Sequence, residues 1–246
     1  RARADDALIF PSALAAVIVG DPYSEPTRRR LLSSPTAGPS PAPTFLPSPA
    51  PSVSPVPTTA EITTWSQLRN AVADPAVSTI NVSVDIAFPA PIEVTRNVTI
   101  AGVGGTDTAL RDADAPLERL FLVTSGALLR IESLHLLNNA SSMSFDGCSA
   151  ATTPPFIECR GTLIYAYQAR VELVGCTVRD TRAGFSAALM LTTSTSLVTN
   201  CTFTRLETVY RSAIMAYMKS TFVVESSLFH DNVAREGAIV GTCKLL

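Results

Sequence analysis

Along the second half of the chain, apolar and polar residues alternate in short bursts that recur in one form. Leu129 and Ile131 stand before Leu134 and Leu136; Val171 and Leu173 before Cys176 and Val178; Ser196 and Val198 before Cys201 and Phe203; Phe222 and Val224 before Ser227 and Phe229. A period of two puts alternate side chains on one face of a strand. The three-residue step inside each burst is then a bend that keeps both halves facing one interior. Leu173, Val198 and Val224 follow one another at nearly equal steps, a length typical of one solenoid coil. A strand-bend-strand unit this short cannot enclose its own apolar face, so it stacks on copies of itself. The pattern predicts an all-β solenoid with Leu134, Cys176, Cys201 and Ser227 in one internal column.

The step from Ile131 to Leu173 is much longer than the others. Ser141 to Cys159, rich in Ser, Thr, Ala and Pro, reads as a loop inserted between coils, and removing about sixteen residues restores the period. A second series, Thr162-Leu163, Ala188-Leu189, Ala213-Ile214 and Ala238-Ile239, predicts where the next strand of each coil opens. Upstream, Ile92, Val94, Val98 and Ile100 read as a looser copy, and Val82, Val84 and Ile86 as the first coil. Gly102, Gly104 and Gly105 are expected at a turn with positive φ. Thr64-Trp65-Ser66-Gln67 has the form of a capping box and predicts a short helix with Trp65, Leu68 and Val72 on one side, placed as a lid on the solenoid end.

Composition divides the chain into segments of 1–34, 35–58 and 59–246. Nine of the 18 prolines fall between Pro35 and Pro57, so this stretch is expected as an extended polyproline II linker. Its Ser-Pro and Ala-Pro dipeptides resemble hydroxyproline-rich glycomodules of plant and green-algal wall proteins. Within 1–34, Ala7–Val19 is an apolar run of signal-peptide size, although Asp5 and Asp6 precede it; Arg28-Arg29-Arg30 reads as a solvated basic run or a processing site. The β-solenoid is expected to be cut at its C-terminus, since Leu246 falls in the first strand of a further coil. Charged residues are only 16% and the net charge is -2, without a basic stripe, which argues against nucleic acid as a partner. No span long enough to cross a membrane is read from the sequence.

The order of a Trp-x-x-Leu helix, Asn97-Val-Thr-Ile-Ala-Gly102, Arg119-Leu-Phe121 and the strand from Leu129 to Asn138 resembles the start of pectin-lyase-like domains. Phe229-His-Asp-Asn232 followed by Glu236-Gly-Ala-Ile239 is similar to the Phe-x-x-Asn and Gly-Gly-Ala-Ile repeats of polymorphic outer-membrane-type proteins. Leu206 and Thr181 stand where that repeat would place Asn. The resemblance covers roughly residues 60 to 246 and implies a right-handed parallel β-helix. It does not choose among lyases, hydrolases, adhesins and inert spacers, all of which use this fold.

Four acceptor sequons begin at Asn81, Asn97, Asn139 and Asn200, and they point to a secreted glycoprotein. A bridge between Cys148 and Cys159 would restrain the insertion by about 3 kcal/mol in the loop-entropy model. Cys176 and Cys201 are expected about 4.8 Å apart as a ladder of free thiols, with a disulfide as the alternative. Cys243 leaves the count odd. Tyr165, Tyr167, Tyr210 and Tyr217 are expected at regular spacing, as a weak candidate surface for a repetitive polysaccharide.

No catalytic residue, metal ligand or cofactor is read from the chain. The outward row His135, Thr177, Thr202 and Leu228 does not form an active site. Asp107, Asp112 and Asp114 read as a solvated acidic loop rather than a calcium site. The charged residues Arg179, Asp180, Arg182, Arg205, Glu207, His230, Asp231 and Arg235 follow successive strands as solvated turn residues. The expectation is a secreted, cell-surface or matrix module that is structural, adhesive or carbohydrate-contacting, its partner an extracellular polysaccharide or a surface protein. The alternative is a polysaccharide lyase or glycoside hydrolase whose catalytic coils lie beyond Leu246.

Overall fold

The computed structural model describes residues 8–9, 15–18, 58–103, 108–113, 117, 119–138, 162–184, 186–208, 212–217, 219–234 and 240–243. The chain divides into two units, Arg1–Val19 with Pro57–Leu246, and Gly20–Val56; the second, with the proline-rich stretch, lies outside the described residues.

Two short strands, β1 (Leu8–Ile9) and β2 (Ala15–Ile18), fall within the apolar run read as a signal core. After them come β3 (Thr58–Ile62), α1 (Trp65–Ala73), β4 (Val77–Val82) and β5 (Ile86–Phe88). From there the chain winds through three sheets in a fixed order, C then B then A. The first two turns are β6 (Ile92–Val94), β7 (Val98–Gly102) and β8 (Ala109–Asp112), then β9 (Phe121–Val123), β10 (Leu128–Glu132) and β11 (His135–Leu137). The third is β12 (Ile164–Tyr167), β13 (Arg170–Val174) and β14 (Thr177–Arg179), with β15 (Arg182–Ala183) added in a small fourth sheet, D. Next come β16 (Ser186–Thr192), β17 (Thr195–Thr199), β18 (Thr202–Thr204) and β19 (Glu207–Thr208), then β20 (Ser212–Tyr217), β21 (Thr221–Glu225), β22 (Leu228–His230), β23 (Val233–Ala234) and β24 (Val240–Cys243). Successive coils pair in parallel in every sheet, which is the arrangement of a parallel β-helix.

Alternation dictates the interior. Ile100, Ile131, Leu173, Val198 and Val224 face one another along sheet B, and all are buried. Ile131 lies opposite Leu173, so the long step between them is one coil with an insertion between β11 and β12. Leu134, Cys176, Cys201 and Ser227 form the expected internal column, each no more than 2% exposed. Its neighbours stack: the Phe203 and Phe229 rings lie 4.4 Å apart at 3°.

From β9 onward, many bends turn on a residue with positive φ. Ser133, Gly175, Asn200 and Ser226 occupy one such column; Asp180, Arg205 and Asp231 another; Gln168 and Thr193 a third. A left-handed residue turns the chain from one sheet into the next within two positions, at a steric cost that Gly and Asn largely avoid. Such a bend also interrupts the strand ladder, and side chains repair it. Ser194 Oγ accepts from the Ala169 amide and Ser220 Oγ from the Ser194 amide, both at 3.1 Å. Cys201 Sγ accepts from the Cys176 amide at 3.4 Å, and Ser227 Oγ from the Cys201 amide at 3.1 Å. Thr181 Oγ1 takes the Asn138 amide at 3.3 Å and Asn232 Oδ1 the Leu206 amide at 2.9 Å. In all six bonds the acceptor belongs to the following coil. Nearer the N-terminus the sense reverses: Asp85 accepts from Ala109, and Asn97 from Leu128.

The helix α1 starts at a capping box, with Thr64 and Gln67 bonding reciprocally. Leu68, Ala71 and Val72 enter the core, and Trp65, half-buried, donates its Nε1–H to the Ala90 carbonyl at 3.1 Å. Arg96 donates to the Ala71 and Val72 carbonyls at 2.6 and 2.7 Å, filling acceptors that a helix end leaves open.

Several sequence expectations are corrected. Val84 is 42% exposed, because Ser83, Val84 and Asp85 form the bend between β4 and β5. Ile92 and Val94 belong to sheet C, so the counterparts of Leu129 and Ile131 are Val98 and Ile100, with Leu110 opposite Leu136. All three sheets share the same alternation, which therefore cannot identify the sheet. Opposite Leu189 stands Ile164 rather than Leu163, and Val240 pairs with Ile214, a one-residue offset absorbed where the chain enters sheet C. Gly102 does not adopt positive φ. A Cβ there would lie 2.2 Å from the Ser133 carbonyl oxygen, so close approach of the next coil is what requires glycine. Gly104 and Gly105 lie outside the described residues.

Candidate functional site

The outer faces carry the side chains that a partner would meet. On sheet B one outward row reads Thr79, Thr99, Arg130, Glu172, Leu197 and Val223. Its centre is an ion-pair cluster: Glu172, with its side chain only 7% exposed, accepts from Arg130 at 2.8 Å and Arg170 at 2.6 Å, and Arg130 also pairs with Glu132. Hydrogen bonds to Glu132 and then Glu172 hold the Arg130 guanidinium above its ordinary pKa. The charge within this cluster is internally paired.

Sheet A presents His135, Thr177, Thr202 and Leu228 in register, as read from the sequence. Along the bend beyond it, Arg205 grips Asp180 with Nε at 2.5 Å and Nη2 at 2.8 Å, and His230 Nδ1 lies 2.7 Å from Asp231. The Asp180 carboxyl is pulled below its ordinary pKa, first by hydrogen bonding to Arg205. Arg182 faces Glu207 at 3.4 Å. Stacking of successive coils brings these described turn residues together as pairs.

Sheet C carries Tyr165 and Tyr167 of the expected polysaccharide surface, and Tyr165 does not lie on it as an open platform. Tyr165 points outward, between inward Ile164 and Ala166, yet is only 8% exposed. The Arg119 guanidinium carbon sits 5.5 Å from its ring centroid, and its hydroxyl lies 3.4 Å from Thr192 Oγ1. Its row continues through Met190 and Met215, also buried, so this stripe is packing rather than a sugar platform. Tyr167 is 43% exposed and shares a row with Thr192 and the backbone position of Tyr217. Tyr210 and the Tyr217 side chain lie outside the description.

Among the sequon asparagines, Asn200 is exposed at a bend with φ of 53°, Asn97 is exposed with Oδ1 on the Leu128 amide, and Asn81 is half-buried on the outer side of β4. Among the described residues, the buried asparagines Asn138 and Asn232 begin no sequon. Asn139, Cys148 and Cys159 fall outside the described residues, as do Asp107 and Asp114; Asp112 is buried at the end of β8.

Cys176 and Cys201 are free, buried and stacked. Hydrogen bonding to Cys176 and burial together raise the Cys201 thiol above its ordinary pKa, so it keeps its proton. Its Sγ donates to the Thr199 carbonyl at 3.3 Å. These are structural thiols rather than nucleophiles.

A shallow dent lies between Leu206, Thr208, Ala213, Asn232, Val233 and Ala234, with no enclosed space for a ligand. Among the described residues, no group of three His, Cys, Asp or Glu side chains is placed to hold a metal ion. No described helix is long and apolar enough to cross a membrane. The role of the bend residues escaped the sequence reading. Its signal was present in the short polar residue, or Gly175, one position ahead of each inward Cys or Ser.

No curated protein sequence and no solved structure matches the chain. Residues 59–145 match the model of a family described as "Putative pectate lyase-like adhesive domain", and the parallel stacked sheets that contain them fit a pectin-lyase-like β-helix.

Proposed function

We propose that this chain is a secreted or cell-surface glycoprotein module whose β-helix is a structural, adhesive or carbohydrate-contacting rod, displayed beyond the proline-rich stretch. The observation that carries the reading is the match of residues 59–145 to an adhesive domain. The outer faces are in keeping with it. Threonines repeat in register as Thr79 with Thr99, Thr177 with Thr202, and Thr195 with Thr221, a spacing of about 4.8 Å that suits a repetitive polymer. Their charged neighbours are already paired. Outward placement of Asn81, Asn97 and Asn200 supports N-glycans at all three sequons.

The test is the full chain on an array of extracellular polysaccharides, run beside an assay for unsaturated uronate release. Saturable retention on one polymer class without cleavage is expected. Release of unsaturated oligosaccharides would overturn the reading in favour of a lyase.

A further inference from the structure

Sheets A and B depart from parallel pairing at one place. In sheet C the strand beyond β20 is the chain's own forward continuation, β24, in parallel. In sheet B the position beyond β21 is taken by β2, antiparallel, with Ala15 opposite Val224 and Ile18 opposite Thr221. In sheet A the position beyond β22 is taken by β1, also antiparallel, with Leu8 opposite Phe229. The early segment thus crosses sheet A before sheet B, tracing a coil backwards over the coil formed by β21 and β22.

We infer that the outer sides of β21 and β22 form a strand-accepting surface, that β1 and β2 occupy it as an antiparallel cap, and that a second copy of this chain is the partner it takes when the cap is displaced. The backbone of β21 supplies the reason. The Thr221 amide donates to Ser194 in the preceding coil, so by alternation the Phe222 and Val224 amides point toward β2. Without a strand there, those donors and the matching carbonyls form a template for pairing with another chain.

A reversed strand is well suited to closing that template. Its side facing away from β21 has the hydrogen-bond spacing of an antiparallel edge, out of step with the next parallel coil. Coverage in cis is within reach: sheet B runs from β3 to β2 over seven strand spacings, about 34 Å. The stretch between Ile18 and Thr58 exceeds that span several-fold even as polyproline II, at about 3.1 Å per residue. A second copy carries the complementary strand. At the other end of sheet B stands β3, and no described strand pairs with its outer side. Joining β3 of one copy to β21 of another is a head-to-tail contact, which propagates rather than closes.

Amide hydrogen exchange on the unmodified full chain is the first test. The Phe222 and Val224 amides are expected to be protected like that of Leu197, which lies inside sheet B; free exchange at both would overturn the cap. The double variant Ala15→Pro/Val17→Pro removes the two β2 donors that lie opposite Val224 and Phe222, without touching the solenoid. It is expected to exchange at Phe222 and Val224 at least about tenfold faster while Ile100 stays protected, and to show a mass that rises with concentration in light scattering. A peptide of residues 5–20 added in trans should restore protection and the monomer. A variant that keeps the parent's protection, or one that opens yet remains monomeric at every concentration, overturns the inference. If the variant does not fold, the exchange pattern of the parent still decides whether the cap exists.

Discussion

Replacing Gly102 with alanine tests whether coil spacing, rather than backbone conformation, fixes this glycine. The new Cβ would sit 2.2 Å from the Ser133 carbonyl oxygen and 2.9 Å from Leu134 Cδ2, where ordinary contact begins at 3.4 Å. Relief requires a displacement of about 1 Å against a coil spacing of about 4.8 Å. The atom in the way is backbone, held in place by the Ser133 amide bond to the Val174 carbonyl at 2.9 Å. Overpacking of this kind costs about 1–3 kcal/mol, offset by about 0.4–1 kcal/mol from the lower entropy of the unfolded chain. A net loss of about 1–2 kcal/mol is expected. Gly126→Ala is the control: Gly126 has φ of 74° with nothing within 4 Å, so only the left-handed penalty of about 1 kcal/mol applies. Gly175→Asn should change stability by less than about 0.5 kcal/mol, because Ser133, Asn200 and Ser226 already hold positive φ in the same column. Urea midpoints at constant m-value, followed by circular dichroism and by fluorescence of Trp65, order the three. If Gly102→Ala is no more damaging than Gly126→Ala, the close-approach argument fails.

Further expectations follow from the bends and the outer face. Asn232→Ala leaves the Leu206 amide and the Phe203 carbonyl without their partner, and a loss of about 2–3 kcal/mol in urea is expected; a loss below about 0.5 kcal/mol would show that the bond is not needed. Cys201→Ser should be tolerated within about 1 kcal/mol, since Ser227 already does with oxygen what Cys201 does with sulfur, whereas Cys201→Val strands the Cys176 amide and should cost more in the same titration. Asp180 has a depressed pKa, so its contribution is present above the unfolded value near 3.9 and lost as pH falls through the folded one. Both partners are more than a third exposed, which limits the pair to a fraction of a kcal/mol. The stability gap between the parent and Asp180→Asn should therefore close as pH drops from about 4 toward 2, and a gap constant down to pH 2 would contradict the assignment. When the chain is made in a secretory host, peptide mapping after enzymatic deglycosylation should find Asn81, Asn97 and Asn200 converted to aspartate. Unmodified Asn200 would count against the glycoprotein reading.

Much of this architecture was legible because the alternation within a strand and the recurrence from coil to coil are both local to the sequence. The column Leu134, Cys176, Cys201 and Ser227 needed only counting. Gly102 was misread for a definite reason: glycine serves positive φ and close approach equally, and only the position of Ser133, one coil later, separates the two. Ile92 and Val94 were put in the wrong sheet because an inward-facing alternation looks the same on every side of a coil. Tyr165 reads as surface from its place in a regular series of tyrosines, but its burial depends on what packs over the strand. The apolar run Ala7–Val19 has no marked periodicity, so composition could not distinguish a signal core from the strands β1 and β2. The candidate surface was harder to read than the fold, since rows of threonine arise from packing as readily as from recognition.

From β11 onward, several bends are completed by a side-chain acceptor one coil farther along the chain. During synthesis this imposes a delay. The amides of Asn138, Cys176, Cys201 and Leu206 leave the ribosome before Thr181, Cys201, Ser227 and Asn232 respectively, and until then they have only water to bond. At about 5–20 residues per second, a coil trails its own emergence by about 1–5 s before its bends are sealed. Throughout that interval the newest coil is the one most open to proteases and to mispairing, and its protection arrives from behind.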